Sequence, residues 1–525
     1  MKSVMQHSFS QVPKANIPRS VFDRTHGYKT TFDAGYLIPV LVDQYVPGDT
    51  FNVDATFFAR LATPIYPLMD NMYLDVHFFS IPYRLLWTNF KKFMGERATP
   101  TASIAFTIPQ MDPGAGGFAI GTLGDYFGLP IAVANKHVNA LPFRAYNLCW
   151  NEWYKSEHIQ DNVVVDVDDG EDAIADYVLL RRGKRHDYFT SAIPWPQSGS
   201  ASSLPLGDVA YVKGIAKSSN TFTHQNLTGY ESDDTNLQTY AWAEHVDNSD
   251  ANTNFYVEKH ATKATPNIYA DLANATASTI NELREAFQIQ KLLERDARGG
   301  TRYAEIIISH FGVEDPQHAV LQRPEYLGGS TAPLVISPVA NTSATATEKQ
   351  GNLSGIGTIA CRAGFTKSFT EHGLILGLVS VRADLTYQQG LDRLWSISTR
   401  YDMYWPAFAN LGEQTILTQE LVCDGSANDD DVFGYQERYA EYRYFPSKIT
   451  GKLRSVDAGS LDAWHLSQDL AAGPTLSPTF IVENPPMTRV IAVNTEPHFI
   501  MDSYIKMHCA RPMPVYSVPG NLDRL

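Results

Sequence analysis

The stretch Asp49-Thr50-Phe51-Asn52-Val53-Asp54-Ala55-Thr56-Phe57 places Phe51, Val53, Ala55 and Phe57 at every second position, with polar residues between them. Successive side chains of a strand point to opposite faces, so this period buries one face and leaves the other wet. Met72, Leu74, Val76 and Phe78 repeat the pattern, and His77 falls on the opposite, polar face. Phe499, Met501, Ser503, Ile505, Met507 and Cys509 alternate again before Pro512 and Pro514 stop the strand. Leu374 to Tyr387 is apolar and β-rich. Strand signals therefore run from Tyr45 to the C-terminal region. Helical ones are few. Leu141 to Tyr154 spaces Phe143, Tyr146, Trp150 and Trp153 as an aromatic stripe, and Thr279 to Arg295 opens on a Thr279/Glu282 capping box. The expected class is mainly β: a sandwich or jelly roll with large loop insertions.

Composition narrows the function. The apolar fraction is 44%, the charged fraction 19% and the net charge −15, so the chain is globular and acidic. Any grip on nucleic acid is expected only at local basic patches. Cys149, Cys361, Cys423 and Cys509 are far apart and read as free thiols. Met1 to Pro13 is polar, so no secretion signal is expected; no apolar run approaches the length of a membrane span, and folding in a bacterial cytoplasm is expected. There is no HExxH, P-loop or GxSxG. Gly114-Ala115-Gly116-Gly117-Phe118-Ala119 formally fits GxGxxA, but no strand precedes it and no helix pattern follows, so it reads as a loop. Asp166, Asp168, Asp169, Glu171 and Asp172 surround Gly170, yet Val165 and Val167 occupy the first ligand positions of a calcium loop; a solvated acidic turn is expected. No catalytic residue, cofactor or metal site is nominated.

Five runs carry a resemblance. They are Ile17-Pro18-Arg19-Ser20-Val21-Phe22-Asp23-Arg24 with His26-Gly27-Tyr28-Lys29-Thr30-Thr31-Phe32; Leu141-Pro142-Phe143-Arg144-Ala145-Tyr146-Asn147 with Trp150-Asn151-Glu152-Trp153; Arg181 through Ser191 with Pro194-Trp195-Pro196-Gln197; Leu283 through Tyr303; and Ala510-Arg511-Pro512-Met513-Pro514-Val515-Tyr516. In these the sequence resembles the major capsid proteins of gokushoviruses, a branch of the Microviridae. The resemblance implies a viral eight-stranded antiparallel jelly roll and a self-assembling T=1 icosahedral shell around circular single-stranded DNA. It also implies a small basic DNA-packaging protein, an internal scaffolding protein and a bacterial host receptor as partners. The expected location is the virion, with assembly in the host cytoplasm. On this reading residues 1–44 form a basic N-terminal arm, and 45–196 the first part of the core with a helical insertion. Residues 197–278 form a surface insertion at the threefold axes, 279–510 the second part of the core, and 511–525 an extended C-terminal arm. The β-sandwich alternative is a carbohydrate-binding protein or glycosidase.

Two groups are candidate DNA contacts: Arg19, Arg24 and Lys29 in the arm, and the densest basic cluster, Arg181, Arg182, Lys184 and Arg185. Ion pairing between subunits competes with that reading, because arginine forks suit both. The region 201–280 is rich in Ser, Thr and Asn, with acids outnumbering lysines and no arginine. Its aromatics Tyr230, Tyr240, Trp242 and Phe255 are the candidate receptor contacts.

Overall fold

The computed structural model describes residues 18–199, 280–300, 302–313, 322–343, 345 and 349–516, with the backbone of short strands between 212 and 270. The chain divides into two compact units, Met1–Pro196 with Gly300–Leu525, and Gln197–Gly299.

Ten of the first unit's described strands form its two main sheets; a small three-stranded sheet and the pair Glu413–Leu417 with Val432–Glu437 lie outside them. In chain order the ten are β1 (Ser20–Asp23), β2 (His26–Phe32), β3 (Ile38–Tyr45), β4 (Thr50–Leu61), β5 (Met72–Pro82), β6 (Glu325–Pro333), β7 (Val335–Ala340), β8 (Leu353–Ser368), β9 (Gly373–Ala383) and β10 (Phe499–Arg511). One antiparallel sheet runs β1-β10-β4-β8-β7, with β2 also on β10; the other runs β6-β5-β9-β3. Neighbours in each sheet come from distant parts of the chain, as in a jelly roll. The strands number six and four rather than an even eight. β1 and β2 lie end to end along one edge of β10, pairing Ser20 with Arg511 and Phe32 with Phe499. β7 folds back on the free edge of β8.

The alternating residues do what their period requires. Phe51, Val53, Ala55, Phe57 and Ala59 of β4 share one core with Leu74, Val76 and Phe78 of β5 and with Phe499, Met501, Ile505, Met507 and Cys509 of β10. Full burial of one such phenylalanine contributes about 1.5–3 kcal/mol. The strands start earlier than Tyr45. Ile38-Pro39-Val40-Leu41-Val42 is a continuous apolar run without alternation, and it forms the edge strand β3 with Pro39 beside a register shift. Proline is tolerated at such an edge because no ladder donor is missed.

A second core lies on the other face of the four-stranded sheet. Helix α1 (Leu141–Trp153) packs Phe143, Tyr146, Cys149 and Trp150 onto Phe79, Ile81, Leu374, Leu376 and Leu378. This overturns the expectation for His77. It lies on the second face of β5, which is not solvated but covered: its Nδ1 sits 2.8 Å from the Tyr154 hydroxyl. Burial pushes its pKa down to about 4, with Arg182 assisting.

The acidic turn also differs from expectation. Asp172 is buried, and both of its oxygens take bonds from the fully buried Arg144, at 2.8 and 2.5 Å, while the Tyr177 hydroxyl donates at 2.7 Å. Arg144 Nη1 also donates to the carbonyls of Leu86 and Asp168, each at 3.1 Å, so the buried fork is satisfied. Asp169 accepts from Trp87 Nε1 and Asn89 Nδ2. The turn ties α1 to residues 86–89, just beyond β5.

The second unit contains helix α2 (Ile280–Gly299) and three short antiparallel pairs: Val212–Lys213 with Tyr269–Ala270, Ile215–Lys217 with Phe255–Val257, and Leu227–Tyr230 with Leu237–Tyr240.

Candidate assembly surface and basic strap

The basic cluster is an extended strap. Its backbone is threaded between three segments: Arg182 N donates to Gly35 O at 2.9 Å, Gly183 N to Tyr154 O at 3.0 Å and Lys184 N to Ile481 O at 2.7 Å. A side chain on Gly35 would collide with the Glu483 carbonyl, and its φ of +86° already favours glycine.

The strap's charges mostly turn inward. Arg181 lies 4.1 Å over the Tyr36 ring and donates to Glu483 O at 3.1 Å and Asn484 Oδ1 at 2.7 Å. Arg182 meets Asp75 Oδ2 at 2.5 Å, an oxygen it shares with Arg382 at 2.9 Å. Burial raises the Asp75 pKa, but the two arginines and the Thr331 hydroxyl outweigh it and hold the carboxyl below its ordinary value. Lys184 donates to Gln468 Oε1 at 2.7 Å and sits 4.4 Å over the Phe480 ring; burial lowers its pKa to about 8 against the pull of Glu483 and Asp187. Only Arg185 of the four is exposed, with His186 beside it. Three of the four nominated cations therefore hold the subunit's own segments together, which sequence could not reveal because their partners are far away in the chain.

The arm candidates lie on the six-stranded sheet. Arg24 is ion-paired with Asp43. Arg19 reaches Thr50 Oγ1 at 3.1 Å. Lys29 is 3.6 Å from Asp502, with both side chains largely in solvent. Tyr230, Tyr240 and Phe255 lie on the short strands of the second unit; their side chains, and the whole of Trp242, lie outside the described residues.

Asp112, His137 and Glu171 bring one ligand atom each within 4.8 Å of one another, the one such trio among the described residues. His137 and Glu171 already pair at 2.7 Å.

A feature that sequence reasoning missed lies just beyond the strap. Tyr188 and Phe189 join Ile416, Leu421, Phe433 and Phe480 in a third core. Around the strand pair Glu413–Leu417 with Val432–Glu437, the otherwise irregular segment 391–456 displays large apolar side chains: Trp395 is 73% exposed and Phe445 83%, with Leu394, Tyr401, Tyr404, Trp405 and Tyr442 also exposed. A groove of about 480 Å³ runs through this shelf between Trp395, Tyr442 and Phe445, with Tyr188, Phe189 and Glu420 among its lining. Two cations line the groove, and both are paired: Arg393 with Glu420 at 3.3 Å, and Lys448 with Asp392. The density of rings without strand or helix period was the available signal. Free solution is a poor place for such a patch, and exposed ring-rich patches of this kind are typical of association surfaces.

The family model for capsid protein (F protein) of phages matches residues 10–521. The chain belongs to this phage capsid protein family. Curated relatives agree. The chain is 43% identical to the capsid protein VP1 of Bdellovibrio phage phiMH2K over 99% of its own length and 98% of that protein's. It is 41% identical to capsid protein VP1 of Chlamydia phage 1, over 99% and 98% of the two chains. Identity to capsid protein VP1 of Spiroplasma virus 4 is 32%, over 98% and 97%. The capsid protein is thus a structural component of a virion that assembles into its shell, and not an enzyme. The carbohydrate-binding and glycosidase reading finds no support. Among the described residues no helix is long and apolar enough to cross a membrane.

Proposed function

We propose that this capsid protein is the major shell subunit of a T=1 icosahedral particle enclosing circular single-stranded DNA. The observation that carries the reading is the exposed aromatic shelf at 391–456, whose rings remain wet in the isolated subunit. A neighbouring copy is its occupant: the surface is ring-rich, the cations lining its groove are already paired, and many weak copies of one contact add up to a stable shell. A small basic packaging protein supplies the positive charge that a subunit of net charge −15 lacks. An internal scaffolding protein guides assembly in the host cytoplasm. The insertion 197–278 forms the threefold protrusion and carries the host-attachment residues, with Tyr230, Tyr240, Trp242 and Phe255 as receptor contacts. Of the strap, Arg185 is the group left to meet DNA. Electron microscopy of purified particles, followed by nuclease treatment, tests the whole. Uniform T=1 shells holding protected single-stranded DNA are expected; shells of another geometry or without DNA overturn the reading.

A further inference from the structure

The two sheets of the sandwich are covered unequally. Helix α1 closes the outer face of the four-stranded sheet. The outer face of the six-stranded sheet is open among the described residues: Asn52, Thr56, Phe58 and Arg60 of β4 and Ile500, Asp502, Tyr504, Lys506 and His508 of β10 are all exposed. We propose that this face is a single-stranded nucleic-acid platform, with Phe58 and Tyr504 stacking on bases and Arg60, Lys506 and Lys29 meeting phosphates. The inference rests on the DNA-cargo reading above and deepens it.

Register builds the platform. Tyr504 pairs with Thr56, and Phe58 with Asp502, so the two rings stand on adjacent strands as diagonal neighbours, roughly 7–8 Å apart. Their flanks are small: Gly27 pairs with Tyr504 on one side, and Ala360 with Phe58 on the other. Each ring therefore keeps an open face, 41% exposed for Phe58 and 51% for Tyr504. Arg60 lies 5.4 Å over the Phe58 ring. Lys29 stands in the row of Asp502 and Phe58, and Lys506 in the row of Asp54.

Charge argues for a polyanion over a second copy. In the groove of the aromatic shelf both lining cations, Arg393 and Lys448, are closed in ion pairs. On this face Arg362 is held by Asp54 at 2.6 Å, and Lys29 reaches only a solvated Asp502. Arg60 and Lys506 make no ion pair among the described residues. A local cationic surplus among exposed rings, on a chain of net charge −15, matches a strand whose backbone is anionic and whose bases offer flat faces. Sheet faces with projecting rings bind single strands in this way in other folds.

The test uses the full chain and labelled oligo(dT), read by fluorescence anisotropy across a salt series. Phe58→Ala with Tyr504→Ala should weaken binding at least about tenfold, while Phe58→Tyr with Tyr504→Trp should retain it. Arg60→Ala with Lys506→Ala should flatten the salt slope by roughly 1.4, two phosphates' worth. All four positions face outward, and an unchanged unfolding midpoint confirms the fold. Affinity and slope equal to wild type in both double variants overturn the platform. So does normal oligo(dT) binding combined with failed shell assembly, which assigns the face to a neighbouring copy. If wild-type particles contain no nuclease-protected DNA, the cargo reading falls with it; if they do and the ring variant binds as wild type, only the platform falls.

Discussion

Replacing Arg182 by alanine separates a structural strap from a genome contact. The side chain is 14% exposed and its partner Asp75 5%, and they meet at 2.5 Å. Removing one member of a buried pair costs about 3–5 kcal/mol, because the other charge stays behind. Arg382 remains on the same Asp75 oxygen at 2.9 Å and Thr331 on the other at 2.7 Å, so the lower end, about 3 kcal/mol, applies. Arg185→Ala removes an exposed group and should shift stability by no more than about 0.5 kcal/mol. The assay is urea unfolding of the dissociated subunit, with particle DNA content measured alongside. Arg182→Ala should lower the midpoint with slope unchanged; Arg185→Ala should leave it in place. The pH dependence has a definite sign. Asp75 is held below its ordinary pKa, so its contribution is complete above the unfolded value of about 3.9 and disappears as pH falls through the lower folded value. The gap between wild type and Arg182→Ala should therefore persist at neutral pH and close only in strong acid. A wild-type midpoint for Arg182→Ala, combined with reduced DNA content, would refute the structural assignment.

Burial holds His77 neutral down to about pH 4, amid Arg182, Arg382, Asp75 and Tyr154. An unfolded histidine binds its proton near 6.5, so stability should fall by up to about 3 kcal/mol between pH 6.5 and 4; His77→Gln should remove that part of the slope in denaturant midpoints taken against pH. Gly35→Ala places a side chain at φ +86° against Glu483 O and should abolish soluble expression or lower the melting temperature by several degrees. Trp395→Ser with Phe445→Ser should leave the subunit's unfolding midpoint intact while sedimentation shows loss of shells; normal shells would remove the shelf from the contacts. Deleting residues 218–254 should spare the first unit's fold and reduce adsorption to host cells, and normal adsorption would end the receptor reading.

The sandwich was legible where one strand face is buried and the other wet. Phe51 to Phe57 and Phe499 to Cys509 announce themselves by alternation, and β4 and β10 contain them. The strand β9 is buried on both faces, so its run shows length and composition but no period. β3 was hidden for the same reason and by Pro39. His77 was misjudged because a polar position in an alternating strand says nothing about a helix arriving from residues 141–153 to cover it. The acidic turn concealed a core ion pair: Asp172 is one carboxylate among five until Arg144 is placed against it. The basic cluster was visible as charge, but the partners that absorb it, Asp75, Gln468 and Asn484, are more than a hundred residues away. The shelf and the open sheet face escaped for opposite reasons. One is mostly irregular chain around a single strand pair; the other is the polar half of an ordinary alternation, where Phe58 and Tyr504 break the rule singly.

In the proposed shell the subunit completes the burial of its apolar surface against copies of itself. A cryo-electron microscopy map of the assembled particle, fine enough to place side chains, should show Trp395, Tyr442 and Phe445 packed against a neighbouring subunit and excluded from water. The same rings pointing into open solvent in the closed shell would contradict this proposal.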